Sequence, residues 1–173
     1  MKLSEKTKTA ILDLQKLYPY PEKRSALIPA LHIAQNEVGY LPHDIQRQVA
    51  VLFDLDANEV HAIVTFYDMF FEEPVGKHII HVCKNVSCML RGCDATLSKL
   101  CEKLNIKPGE TSADGEFTVI ASECLAACDL APAMLVDDKV VGHVKESDLD
   151  QILATAKKSK GHPSPLTVEE IYG

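Results

Sequence analysis

The chain has 173 residues, 46% of them hydrophobic, with a formal net charge of −7 and a pI near 5.5. That length can bury one full core or two small ones, and the acidic balance argues against a nucleic-acid surface, which relies on clustered Lys and Arg to neutralise phosphates. No run approaches the ~18 apolar residues that span a bilayer, and the opening Met-Lys-Leu-Ser-Glu-Lys-Thr-Lys has neither signal-peptide nor transit-peptide character. The expectation is a cytoplasmic chain whose association with a membrane comes through a partner protein.

The first seventy residues read as helices. Ile11, Leu14 and Tyr18 recur at helical spacing ahead of Pro21, and Leu27, Leu31 and Ala34 form a second stripe that stops at Gly39. Pro29 is awkward inside that second helix unless it falls in the first turn, because proline has no amide hydrogen to donate. A third helix is expected from Pro42 with Ile45, Val49 and Leu52 inward. A fourth follows Asp56, which can cap it together with Glu59, leaving Val60, Ile63 and Val64 for the core.

At Glu72-Glu-Pro-Val-Gly76 the periodicity changes, which marks a linker between a helical N-terminal domain (1–73) and a second domain (77–160), followed by a C-terminal tail (161–173). His78 to Val82 has strand composition and runs into Cys83. Leu97, Leu100, Cys101 and Leu104 make a helical stripe, Pro108-Gly109 breaks the chain, and Phe117 to Ser122 is a second strand that delivers Cys124. Ala133 to Val136 and Lys139 to Val144 should pair as a hairpin across Asp137-Asp138, and Leu149, Ile152, Leu153 and Ala156 close the domain with a helix. The basic group Lys157-Lys-Ser-Lys160 then complements that helix's dipole. The fold class is α+β, a helical bundle followed by a small α/β layer.

Four of the six cysteines fall in two short clusters, Cys83-x4-Cys88 and Cys124-x3-Cys128. Thiolates four or five positions apart converge on one metal atom from a single turn, and two such turns supply the four sulfurs of a [2Fe–2S] centre. Structural zinc takes the same four thiolates, though its usual knuckles are tighter, and it stays open on spacing alone. A thioredoxin-type redox disulfide would want Cys-x-x-Cys, which is absent. Among the histidines, His78 and His81 lie three apart on a strand and point to opposite faces, which disfavours a Rieske arrangement. His32, His43 and His61 lie on helices and read as surface or satisfied core residues. Cys101 belongs to the apolar helical stripe; Cys93 reads as a structural residue near the centre, with a ligand-swapping or redox role as the alternative, and Glu123 as an exposed turn acid, with modulation of the centre by its charge as the alternative.

The segments Val82-Cys-Lys-Asn-Val-Ser-Cys-Met-Leu-Arg-Gly92, Leu104-Asn-Ile-Lys-Pro-Gly-Glu-Thr111 and Glu123-Cys-Leu-Ala-Ala-Cys-Asp-Leu-Ala-Pro132 together resemble the 24-kDa-type subunit of respiratory complex I, a thioredoxin-like [2Fe–2S] family. Ile28-Pro-Ala-Leu, Gln35-Asn-Glu-Val-Gly-Tyr-Leu-Pro and Val64-Thr-Phe-Tyr67 look like that family's helical domain, so the resemblance runs from about Tyr18 onward. It implies a thioredoxin-like α/β domain, one [2Fe–2S] cluster held by Cys83, Cys88, Cys124 and Cys128, and one iron for each short arm. It also implies a partner, the FMN- and NADH-binding flavoprotein subunit of an NADH:quinone oxidoreductase, with the helical domain taking part in the contact. The chain itself lacks a glycine-rich dinucleotide fingerprint and a catalytic triad, so it is expected to relay single electrons within that enzyme. Similar subunits serve soluble NAD(P)-linked hydrogenases and formate dehydrogenases, and a zinc-stapled interaction module is the reading from another class. One departure stands out: the family usually carries glycine where this chain has Ala126.

Overall fold

The computed structural model describes residues 1–18 and 22–161, so the expected C-terminal tail falls, apart from its first residue, outside the described residues. The described chain forms two compact units that divide between Pro74 and Val75.

The first unit is helical. Helix α1 (Glu5–Gln15) starts at Ser4, whose hydroxyl accepts the Thr7 N–H at 3.2 Å, and it buries Ile11 and Leu14. Tyr18 lies in the turn beyond the helix end and packs at the margin of the core. A 3-10 turn over Glu22–Ala26 leads into α2 (Leu27–Val38), so Pro29 sits in the first turn, where its missing N–H costs no hydrogen bond. Gly39 ends α2 with φ 90°, a left-handed conformation that favours glycine.

Helix α3 (His43–Phe53) begins after Pro42, and its inward residues are Ile45, Val49 and Phe53. Phe53 is 2% exposed, and it takes the place expected for Leu52, which is only partly buried because an α-helix advances 100° per residue and the core lies on the Phe53 side. Helix α4 (Ala57–Phe66) carries the full capping box, with Asp56 accepting the Asn58 N–H at 2.8 Å and Glu59 accepting the Asp56 N–H at 3.2 Å. Such a cap stabilises a helix by about 1 kcal/mol.

The second unit is an α/β layer. Its sheet has the order β2-β1-β3-β4, built from β1 (His78–Cys83), β2 (Phe117–Ser122), β3 (Met134–Val136) and β4 (Lys139–Val141). Strands β1 and β2 run parallel, with His78 opposite Phe117 and Cys83 opposite Ser122, while β3 pairs antiparallel with both β1 and β4. The parallel pair requires a crossover, supplied by α5 (Val86–Leu90) and α6 (Cys93–Leu104). Helix α7 (Leu149–Ala156) closes the unit, whose core gathers Ile80, Val82, Leu100, Phe117, Val119, Met134 and Leu149.

Two details depart from the sequence reading. The short helix α5 was not expected. Strand β4 stops at Val141 rather than Val144, because the backbone beyond it turns back on the cysteine-bearing segment: the His143 N–H reaches Leu130 O at 2.6 Å and the Val144 N–H reaches Pro132 O at 3.0 Å. Gly142 lies so close to Leu130 that a methyl group there would collide with it.

Candidate metal centre

The four clustered cysteines leave one edge of the sheet. Cys83 is the last residue of β1, and its N–H donates to Ala133 O at 3.2 Å. The chain then turns through Asn85, whose side-chain oxygen caps α5 by accepting the Val86 N–H at 2.9 Å, and α5 buries Cys88. Because Cys83 is paired with Ser122, the residue two positions after Ser122 emerges beside it, and that residue is Cys124. Cys128 opens a 3-10 turn (Cys128–Leu130) held by the Leu130 N–H to Ala127 O at 3.1 Å and the Ala131 N–H to Cys128 O at 3.3 Å.

All six cysteines are free thiols, with Cys83 and Cys88 buried and Cys124 and Cys128 exposed. The Cys124 and Cys128 sulfurs are 3.9 Å apart. A tetrahedral metal with thiolate bonds of about 2.3 Å holds its sulfurs about 3.8 Å apart, whereas a disulfide needs about 2.05 Å. This pair is therefore spaced as two ligands of one metal. Cys83 and Cys88 form the second pair, their thiols close enough to influence each other. Among the described residues no three cysteine sulfurs lie within 4.8 Å of one another, so the arrangement is two pairs rather than one tetrad.

Backbone amides converge on these sulfurs. Burial pushes the Cys83 thiol up, but the N–H groups of Leu125 and Asn85, together with the Cys88 thiol, outweigh it and hold Cys83 below the ordinary thiol range. The Leu125 contact also bridges the two turns, since it carries a donor from the second cluster to a sulfur of the first. Cys88 is raised, by burial first and by its neighbour Cys83, against a lowering contact from the Ala133 N–H. The Ala126 N–H lies 3.4 Å from Cys124 Sγ, and Ala126 reaches that position with φ 57°. This is the position where the resembled family usually has glycine, and the left-handed backbone explains why glycine suits it.

Cys93, Ala131 and Ala133 pack with Cys83 and Cys88, and Leu125 and Ala127 lie against them, giving the site a wall of small apolar groups. Cys93 is 1% exposed, and burial, then the Asp94 carboxylate, raise its thiol. Cys101 lies apart, in the core of the α/β unit, and burial raises it as well. Glu123 is an exposed acid whose carboxylate accepts from Asn85 Nδ2 at 3.4 Å.

The strand histidines are committed elsewhere. His78 Nδ1 is 2.9 Å from Asp137 Oδ2, and His81 Nδ1 is 2.7 Å from Ser122 Oγ.

A parallel strand pair that ends in two cysteine turns, backed by an apolar wall and fed with amide donors, makes an α/β domain with a candidate cysteine metal site. The chain belongs to the thioredoxin-like [2Fe–2S] ferredoxin family, whose model matches residues 14–157. It is 42% identical over 141 residues to the second E-type subunit of the NADH-quinone oxidoreductase of Rhizobium meliloti, covering 82% of this chain and 84% of that protein. The E-type subunit of the NADH-quinone oxidoreductase of Escherichia coli is 34% identical over 142 residues, covering 82% and 86%. Among solved structures, the NAD+-reducing [NiFe]-hydrogenase in its air-oxidised state matches with a TM-score of 0.66 and 26% identity. That match covers 76% of this chain but only 23% of the hydrogenase chain.

Proposed function

We propose that this chain is the electron-transfer subunit of an NADH:quinone oxidoreductase, holding one [2Fe–2S] cluster on Cys83, Cys88, Cys124 and Cys128. The observation that carries the reading is the pairing of the sulfurs: two thiolate pairs, each from its own turn, match a binuclear centre with one iron per pair. A single zinc would draw four sulfurs around one point. When bound, the cluster supplies one-electron redox chemistry.

The residues of this chain set the conditions for that chemistry. Amide donors at Leu125, Asn85, Ala133 and Ala126 stabilise negative charge on the sulfurs, which favours the reduced state. The apolar wall of Cys93, Ala131 and Ala133 keeps water from the buried pair. The exposed pair, Cys124 and Cys128, would face the FMN of an NADH-binding flavoprotein subunit, the source of the electrons the cluster would accept. Exposed Val86, Met89 and Leu90 on α5 flank Cys88 and give that partner apolar surface to cover. No helix among the described residues is long and apolar enough to cross a membrane. The likeness to NADH-quinone oxidoreductase subunits supports a peripheral position on the cytoplasmic side, attached through the rest of the complex.

The NADH-quinone oxidoreductase relatives support this assembly because the likeness extends over most of both chains. The hydrogenase likeness supports the second reading, an equivalent role beside the flavoprotein of an NAD-linked hydrogenase. Anaerobic purification with iron, acid-labile sulfide and zinc assays and a visible spectrum tests the cluster. Two irons and two sulfides per chain are expected, and colourless protein with stoichiometric zinc would overturn the electron-transfer reading.

A further inference from the structure

The helical unit contains a second set of metal-binding side chains, unrelated to the cysteines. His43 opens α3, His61 lies on α4, and Glu72 follows α4. Ligand atoms of these three residues all lie within 4.8 Å of one another. His61 Nδ1 is 3.2 Å from Glu72 Oε1. A tetrahedral ion with bonds of about 2.0–2.1 Å to nitrogen and oxygen holds its donors about 3.4 Å apart, so this pair needs little adjustment to share one cation.

The site is built rather than accidental. Gln46, 1% exposed, places its amide between the ligands: Nε2 donates to Glu72 Oε1 at 3.0 Å and to Leu41 O at 2.7 Å, and Oε1 faces His61 Nδ1 at 3.2 Å. The segment carrying Glu72 is fixed by the Leu41 N–H to Phe71 O at 2.6 Å and the Phe71 N–H to Gln35 Oε1 at 3.0 Å. Taking up a cation at His61 Nδ1 means giving up the Gln46 Oε1 contact, whereas the Gln46 Nε2 donation to Glu72 can persist and orient the carboxylate, the role outer-shell groups play at metal sites.

His61, Gln46 and Glu72 alone would make an ordinary hydrogen-bonded cluster. His43 is what that account leaves over. Its ring lies 5.0 Å from the His61 ring at 45°, tilted rather than stacked, and no hydrogen bond engages its nitrogens among the described residues.

We infer that His43, His61 and Glu72 form a binding site for a divalent first-row transition cation, best suited to Zn2+, with water in the remaining position. Two imidazoles and one carboxylate are a donor set for zinc and its neighbours, whereas calcium and magnesium want oxygen ligands. The carboxylate offsets one of the cation's two charges and counters the unfavourable positive end of α3 near His43. The exposure of His43 leaves the fourth position open to solvent, as in zinc sites that exchange ligands. Binding ties the segment after α4 to the starts and faces of two helices. This chemistry is independent of the cluster.

The test is a calorimetric titration of the full-length, cluster-loaded protein with Zn2+ at neutral pH. Iron and sulfide are assayed before and after, so that displacement of cluster iron is seen if it occurs. The expected result is one equivalent of zinc bound with the iron content unchanged, a higher unfolding temperature of the zinc-loaded protein, and affinity lowered at least ~10-fold in both His43→Ala and Glu72→Gln. His43 is exposed, so His43→Ala tests the site with little cost to the fold. Equal zinc affinity in wild type and His43→Ala, or no binding beyond that accounted for by lost iron, would overturn the inference.

Discussion

Cys83 and Ser122 face each other at the last rung of the parallel β1–β2 ladder, and this one pairing brings two cysteine turns from distant parts of the sequence to the same edge. The ladder defines where the site is, and the turns define its donors.

The first prediction concerns the ligand set. Cys83→Ser, Cys88→Ser, Cys124→Ser and Cys128→Ser should each lose or severely weaken the cluster, because a hydroxyl is a harder and poorer donor to iron than a thiolate. Cys93→Ala and Cys101→Ala should keep it and lose about 1 kcal/mol of stability, the cost of a small cavity at a buried site. Iron and sulfide assays on the purified variants decide the matter, and normal clusters in two or more of the four serine variants would refute the assignment.

A second prediction follows from Ala126. A left-handed backbone costs a residue with a Cβ about 1–2 kcal/mol, and glycine avoids that cost while giving back part of it as freedom of the unfolded chain. Ala126→Gly should raise stability by about 0.5–1 kcal/mol with the cluster intact. Thermal unfolding of the two holo proteins measures the difference. A lower unfolding temperature in the glycine variant would show that the turn is relaxed with alanine in place.

The third prediction separates the units. A fragment of residues 75–161 contains every strand found among the described residues, both cysteine turns and the Gly76 N–H to Thr118 Oγ1 contact at 2.6 Å, so it should fold and assemble the cluster alone. Without the helical unit, association with the flavoprotein should weaken and NADH-dependent reduction should slow, as apolar contact area and orientation are lost. Co-purification and stopped-flow reduction compare the fragment with the whole chain. Equal affinity and equal rates would exclude the helical unit as a docking element.

The fourth prediction is a pH dependence in the helical unit. Glu37 accepts the Ser4 N–H at 2.9 Å and the Ser4 hydroxyl at 3.2 Å, and its carboxyl lies below the ordinary range, chiefly through a side-chain hydrogen bond with Thr7 and also through these Ser4 contacts, against a smaller opposing effect of burial. A depressed carboxylate stabilises the fold above its unfolded pKa of about 4.3, and that contribution disappears as pH falls through the lower folded value. Stability should therefore fall less steeply below about pH 4.3 in Glu37→Gln than in the wild type. Ser4→Ala should cost about 1 kcal/mol through loss of the α1 cap. Denaturant titrations across the acid range give both numbers, and parallel acid profiles for Glu37→Gln and wild type would remove Glu37 from the account.

Local signals were readable in the chain and distant ones were not. The Asp56–Glu59 capping box, the stop at Gly39 and the full span of β2 depend on neighbouring residues, and each lies where the pattern put it. Helix α5 is five residues long and too short for a periodic stripe, although Asn85 carried its cap signal. The end of β4 depends on Leu130 and Pro132 drawing the chain away from the sheet, which no period-2 pattern encodes. His43, His61 and Glu72 have no motif spacing at all; they meet because α3 and α4 pack together and Leu41 holds the segment that follows.

The two clustered cysteine pairs are unequally exposed. Cys83 and Cys88 are sheltered, but Cys124 and Cys128 stand at the surface, 3.9 Å apart, so an oxidant in solution meets that pair first. If the proposed cluster site is right, a chain that has not yet received iron would leave that pair free to close into a disulfide, surrendering two electrons and two protons to a peroxide and locking the metal out. On the proposed assembly, a flavoprotein seated over the same face would shield that pair as well as give it electrons, so the isolated protein should lose its iron to air faster than the assembled one.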